Sequence, residues 1–247
     1  MKKHYGLLGK NIGYSLSPQI HKQAFEAQGI CAEYSLLDVE NITEFMDTVR
    51  EEKKLDGFNV TTPYKSVIAP LLDYFDDSAK ATIYSINTVK CVRNGNDYSL
   101  WGYNTDTGGF GVYFNKYPLQ KHKALIFGSG GAADSVAYAL ELNRIPYLMV
   151  SRNNQEDCIT YPNITHTLAK EYTLWINCTP VGGPKYPNQL LPLPYETLTA
   201  EHILIDLNYI PNVTPFMEQA LKHGATTCNG MPMLEEQARL AREIWAK

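Results

Sequence analysis

The stretch KALIFGSGGAADSVAYALEL, residues 123–142, decides the fold. An apolar run of strand length meets a glycine-rich turn, Gly128-Ser129-Gly130-Gly131-Ala132-Ala133, and the apolar spacing then changes to a helical period through Val136, Ala137 and Leu140. In a strand, tight turn and helix of this kind, glycines let the backbone come close to a pyrophosphate. The first N–H groups of the helix supply donors and a favourable dipole. The glycine spacing alone would equally suit a tight structural turn. The flanking strand and helix favour the nucleotide reading.

Toward the C-terminus the same alternation continues through YLMVS (147–151), LWINC (174–178), ILIDL (203–207) and the short TTCN (226–229). Helical stretches lie between them, one of which, PFMEQALKHG, opens at Thr214-Pro215 and stops at Gly224. Apolar strands alternating with helices imply a parallel sheet. The strand YLMV ends in Ser151-Arg152-Asn153, where NAD sites place an acidic residue about 20 residues beyond the glycines. A cation beside a hydroxyl and an amide suits a 2′-phosphate, which an unpaired carboxylate would repel, so NADP is the expected cofactor. Glu156 lies just beyond and works against that preference; a solvated surface arginine is the plain alternative. Five prolines between Pro180 and Pro194 predict an irregular loop.

Toward the N-terminus, YGLLG (5–9), YSLLDV (34–39) and GFNVT (57–61) alternate with two amphipathic stretches, a βαβαβ pattern. Ser17 is read as an N-cap with Pro18 at the first helical position, Asn41 as a second cap with Glu44 three residues on, and Gly29 as a helix stop. From Ile86 to Asn104 the runs INTVKCV and YSLWGY flank a turn at Arg93–Asn96, so an antiparallel ribbon should end the first sheet. The tail, MPMLEEQARLAREIWAK, has Met233, Leu234, Ala238 and Ala241 at helical spacing and should return to that sheet. The expected fold is α/β with two α/β domains. Residues 1–104 plus 231–247 would form one around a mainly parallel sheet, 105–230 a Rossmann-like domain, with the site in a cleft between them.

The 247 residues carry 22 basic and 26 acidic side chains without long blocks, so neither nucleic acid nor an anionic membrane is an expected partner. An apolar content of 44% supports a full core. Five cysteines at 31, 91, 158, 178 and 228 lack a C-x-x-C pair, which argues against a disulfide framework and against a metal site. The opening MKKHYGLLGKNIGYS has no apolar run suited to export, and no later stretch approaches a bilayer span, so a cytoplasmic protein is expected. His21 and His166 lack partner spacing for metal chemistry and are read as core or surface residues.

GFNVTTPYK places Asn59, Thr61 and Lys65 at the carboxyl end of a parallel strand and the turn after it, where open α/β sheets bind ligands. Interconverting an alcohol and a ketone needs a proton carrier near the oxygen, and Lys65 is the titratable residue best suited to it, with Asp106 of GYNTD as its counterpart. Viewed singly, a surface lysine and a helix-capping aspartate remain open alternatives.

The motifs also occur in a characteristic order: Ser15-Leu16-Ser17-Pro18, Asn59-Val60-Thr61-Thr62-Pro63-Tyr64-Lys65, Ile86-Asn87-Thr88, Asn104-Thr105-Asp106, Gly128-Ser129-Gly130-Gly131-Ala132, Asn177-Cys178-Thr179-Pro180, Asp206-Leu207-Asn208-Tyr209 and Gly230-Met231-Pro232-Met233-Leu234-Glu235-Glu236-Gln237. In that order the chain resembles the shikimate dehydrogenase family throughout its length. The resemblance implies reversible NADPH-dependent reduction of 3-dehydroshikimate to shikimate in chorismate and aromatic amino acid biosynthesis, by a monomer or homodimer. It implies that Lys65 and Asp106 are the catalytic pair and that Ser15 and Ser17 hold the substrate carboxylate, while Asn59, Thr61, Asn87, Tyr209 and Gln237 contact the acid or its hydroxyls. It further implies cofactor contacts at Gly128, Ser129, Gly130, Gly131, Ala132, Ser151, Arg152, Asn153, Thr179 and Gly230.

In one place the pattern departs from the family. The family's phosphate clamp commonly resembles Asn-Arg-Thr with another basic residue soon after, whereas Ser151-Arg152-Asn153 is followed by Asn154, Gln155 and Glu156. Weaker NADP binding or looser selectivity is expected. Two alternatives stay open: a quinate/shikimate dehydrogenase with NAD or dual cofactor use, and a non-catalytic metabolite-sensing homologue, against which the presence of both Lys65 and Asp106 speaks.

Overall fold

The computed structural model describes residues 2–82 and 85–247. The chain divides into two compact units, residues 1–109 with 235–247, and residues 110–234.

The first unit is built on β1 (Lys3–Gly9), α1 (Ser17–Ala27), β2 (Ala32–Asp38), α2 (Ile42–Glu52), β3 (Gly57–Val60), β4 (Tyr74–Phe75), α3 (Asp77–Ala81), β5 (Thr88–Asn94), β6 (Asp97–Tyr103) and the start of α4 (Asp106–Phe110). Its strands lie in the order β2-β1-β3-β5-β6-β4. The βαβαβ segment is parallel, with Tyr5 opposite both Tyr34 and Gly57, and the β5–β6 hairpin is antiparallel. Successive residues of β1 serve opposite faces of the sheet: Tyr5 and Leu7 pack with Phe25, Ala241 and Trp245, and Leu8 packs with Met46, Phe58 and Val89. Burial on both faces is why this strand reads as one continuous apolar run.

Two expectations are corrected here. Ser17 does not cap α1; the helix starts at Ser17 with Leu16 before it, and Ser15 Oγ accepts the Ser17 N–H at 3.2 Å. The hairpin does not end the sheet, because β4 pairs with β6 as a further edge strand. Two residues carry no readable period. Asn41, by contrast, caps α2 through Thr43 and Glu44, and Thr214 caps its helix through Met217.

The second unit comprises α5 (Val112–Lys116), β7 (Ala124–Phe127), α6 (Gly131–Leu142), β8 (Tyr147–Ser151), β9 (Cys158–Thr160), α7 (His166–Glu171), β10 (Leu174–Asn177), β11 (Ile203–Asp206), α8 (Pro215–Lys222), β12 (Thr226–Asn229) and the first turn of α9 (Met231–Ala246). All six strands are parallel, in the order β12-β11-β10-β7-β8-β9. Counted from β7, this is the doubly wound order 3-2-1-4-5-6, whose strand order reverses between β7 and β10. Leu125, Phe127, Trp175 and Leu204 fill one face, and Ala124, Ile126, Ile176 and Ile205 the other. The three-residue β9 went unread in the sequence for the same reason as β4. From Glu235 onward α9 belongs to the first unit, where Trp245 stacks on Tyr5 at 4.5 Å and donates from Nε1 to the Val89 carbonyl at 3.0 Å.

Candidate active site

In the first unit the topology delivers polar side chains to one sheet edge. β1 and β3 end there, leading into Ser15–Ser17 and Thr61–Lys65. The antiparallel β5 starts there after Asn87, and β6 returns there before Asp106, with Thr88 paired to Tyr103. Backbone bonds fix the geometry: Val60 N–H donates to Asn87 O at 2.8 Å, Thr61 N–H to Leu8 O at 2.8 Å, and Ile86 N–H to Lys65 O at 3.0 Å.

Lys65 Nζ lies 2.5 Å from Asp106 Oδ2, and both side chains are largely withdrawn from solvent, at 19% and 7% exposure. Asp106 does not cap the helix it begins. Asn104 takes that role, accepting the Thr107 N–H at 3.1 Å, so the carboxylate is left for other partners. Its second oxygen, Oδ1, accepts from Asn87 Nδ2 at 2.7 Å. The orientation of Asn87 is chemically determined, because the Thr105 N–H, 2.7 Å away, can only donate and must face Asn87 Oδ1. The amide nitrogen therefore turns toward Asp106 and Thr105 Oγ1. The Lys65 ammonium has three donors and Asp106 is its one hydrogen-bond partner among the described residues, which leaves donors for a ligand oxygen.

The network extends inward. Asn59 Nδ2 donates to Asn87 O and Thr88 Oγ1, and Asn59 Oδ1 accepts from Tyr34 Oη at 2.9 Å. Both amide hydrogens of Asn59 are thus used internally, and one oxygen lone pair remains for a ligand. Tyr34 stacks on the buried His21 ring at 4.1 Å. His21 is fully enclosed and neither ring nitrogen has a hydrogen-bond partner among the described residues; burial, reinforced by the Arg242 guanidinium and opposed by the nearby Asn59 amide, pushes it down to about 3. Of the other expected site residues, Ser15 Oγ donates to Ser17 Oγ at 3.2 Å, Thr61 is half-buried, and Gln237 is buried on α9. Thr88, Thr105 and Tyr34 were not anticipated. Thr105 sits inside a recognisable motif, but a hydroxyl turned inward leaves no trace in a sequence.

The second unit carries the other expected residues. Gly128, directly after β7, has φ 114°, a conformation that L side chains rarely adopt. A Cβ on Gly130 would meet nothing within 4 Å, so the N-terminus of α6 is open to a ligand. Ser129 is exposed and Gly131 and Ala132 half-exposed at the same turn. Ser151 is buried and accepts the Asn153 N–H at 3.2 Å, while Arg152 is exposed and makes no ion pair among the described residues. A glycine cradle, an open helix N-terminus and an uncommitted guanidinium fit a phosphorylated dinucleotide. Thr179 donates from N and Oγ1 to Asn177 Oδ1, and Tyr209 follows β11 in this unit, apart in the chain from the other expected substrate contacts. Gly230 is buried, and a Cβ there would lie 2.0 Å from the Leu207 carbonyl oxygen. Among the described residues no helix is long and apolar enough to cross a membrane, and no three His, Cys, Asp or Glu side chains cluster as a metal would need.

A family model for the shikimate dehydrogenase substrate binding domain matches residues 7–89, the segment that supplies Ser15 through Asn87. A shikimate dehydrogenase (NADP(+)) from Clostridium botulinum is 35% identical over 254 residues, covering 97% of this chain and 95% of its own. The chain belongs to the shikimate dehydrogenase family. Its fold superposes on that of the Aquifex aeolicus shikimate dehydrogenase with a TM-score of 0.88 at 27% identity, covering 99% of this chain and 92% of the other. The Thermus thermophilus shikimate 5-dehydrogenase, solved with NADP(H) and shikimate, gives a TM-score of 0.85 at 29% identity, covering 98% and 93%.

Proposed function

We propose that this chain is an NADP-dependent shikimate dehydrogenase, interconverting shikimate and 3-dehydroshikimate in the cytoplasm for aromatic biosynthesis. The observation that carries the reading is the enclosed Lys65–Asp106 pair, with the carboxylate oriented by Asn87, at the ligand-binding edge of the first sheet. The first unit is the substrate-binding and catalytic part, and the second holds the cofactor.

In the reducing direction the Lys65 ammonium gives a proton to the ketone oxygen, and NADPH, when bound, supplies the hydride to the carbon. Asp106 holds the lysine in place and, through Oδ1, shares Asn87 with the substrate side of the network. Ser15 and Ser17 hold the substrate carboxylate with neutral hydroxyls, while Asn59, Thr61, Asn87, Tyr209 and Gln237 recognise the ring hydroxyls by geometry. Gly128 to Ala132 cradle the pyrophosphate, Ser151, Arg152 and Asn153 take the 2′-phosphate, and Thr179 and Gly230 border the nicotinamide.

A second reading, dual use of NADP and NAD, is favoured by the run Asn154-Gln155-Glu156 after Arg152, which brings a carboxylate and no second cation. The deciding assay follows reduced nicotinamide by absorbance, with shikimate or quinate against NADP or NAD. Turnover of shikimate with NADP at the highest kcat/KM of the four combinations supports the proposal. Binding of both ligands without turnover, as in a sensor, refutes it.

A further inference from the structure

Three segments of the second unit converge on one carboxylate that the proposed reaction does not use. Asp206, the last residue of β11, is fully buried. Its Oδ1 accepts from Asn177 Nδ2 at 3.1 Å, Asn208 N at 3.0 Å and Asn208 Nδ2 at 2.8 Å, and its Oδ2 accepts from Thr214 Oγ1 at 2.6 Å. Burial raises the proton affinity of this carboxyl and the bonds from Thr214 and Asn208 pull it back. A carboxylate only accepts, so Asn177 must show it the amide nitrogen and turn its own oxygen outward. That oxygen receives the N–H and the hydroxyl of Thr179, at 2.9 and 2.7 Å.

Asn208 carries the other half of the arrangement. Its Nδ2 also reaches Thr179 O and Val181 O, at 3.0 and 3.1 Å, which pins the turn after β10. Its carbonyl accepts the Gly230 N–H at 3.0 Å, where the segment before α9 runs against the Leu207 backbone too closely for any side chain.

We propose that Asp206 is a positioning residue for the nicotinamide end of the cofactor site, orienting Asn177 and Asn208 and through them placing Thr179 and Gly230. The proposal rests on the cofactor reading above. An asparagine at 206 has nearly the same shape, but it offers an N–H₂ where Thr214 Oγ1 now donates, so that hydroxyl must turn to accept, and the charge that strengthens all four bonds is lost.

The test compares wild type, Asp206→Asn and Asn208→Ala by three measurements: the affinity for NADPH from nicotinamide fluorescence, inhibition by 2′-phospho-ADP-ribose, which lacks the nicotinamide, and steady-state kinetics. Positioning predicts that Asp206→Asn binds NADPH about tenfold more weakly and loses about tenfold or more in kcat, while the fragment binds within about twofold of wild type. Asn208→Ala, which keeps the carboxylate, should show the same divergence and carries the test if Asp206→Asn does not fold. Equal losses for NADPH and the fragment, the mark of general damage to the unit, overturn the proposal, as does no change in either. Wild type that binds NADPH without turning shikimate over removes the functional reading, and the NADPH-to-fragment ratio still decides the role of Asp206. Wild type that binds no NADPH overturns both.

Discussion

His21 should make this protein acid-sensitive in a way that one substitution removes. The ring is enclosed, stacked on Tyr34 and without a hydrogen-bond partner among the described residues, and its folded-state titration is pushed down from 6.5 to about 3, chiefly by burial. In the unfolded chain the same group titrates near its ordinary value. Below about pH 6.5 the unfolded state therefore binds a proton that the folded state does not, and stability falls as pH falls. The full effect is present above the unfolded value and is lost progressively toward the folded one. At pH 5 the difference amounts to about 2 kcal/mol relative to neutral pH. His21→Phe keeps an aromatic ring against Tyr34 and cannot charge. Equilibrium urea unfolding of both proteins at pH 7 and pH 5 isolates the effect, because the other titrating groups are common to both. Wild type should lose about 2 kcal/mol more than the variant between the two pH values. Parallel losses, agreeing within about 0.5 kcal/mol, would show that the ring does not resist protonation and would refute the reasoning.

Two further substitutions probe the two units separately. Thr105→Val removes a hydroxyl that meets Asn87 Nδ2 at 2.9 Å and Thr88 Oγ1 at 3.2 Å without changing shape, so unfolding should show a loss of about 1–2 kcal/mol. With Asn87 less firmly oriented, kcat should fall about tenfold, and unchanged kinetics would remove Thr105 from the site. Arg152→Gln should raise the KM for NADP about tenfold, by losing a charge-assisted contact to the 2′-phosphate, and leave the KM for NAD unchanged. Equal effects on the two cofactors would mean that Arg152 does not read that phosphate.

What could be read in advance follows how local each signal is. The strand, glycine turn and helix of 123–142 announce themselves because the physics that builds them acts over a few residues, and the alternation of apolar runs with capped helices extends that logic to two α/β sheets. Ser17 misled because Ser-Pro is a good helix start in isolation, while here Ser15 reaches forward to bond the Ser17 N–H and the helix starts at Ser17 itself. β4 and β9 are too short for periodicity and exist because β6 and β8 offer them an edge. In the site, Lys65 stands out by chemistry, but its contact with Asp106 spans 41 residues and depends on the hairpin that brings β6 back to the end of β3. Thr88, Tyr34 and Asp206 satisfy buried partners across strands, which no sequence spacing records.

The most direct test replaces the lysine. With shikimate and NADP saturating, Lys65→Ala should lose about 10²- to 10⁴-fold in kcat while shikimate affinity changes only modestly, because the lysine takes the hydroxyl proton and does not hold the carboxylate of the acid. Turnover close to that of wild type would mean that the proton travels by another route, and the account of this site would fail.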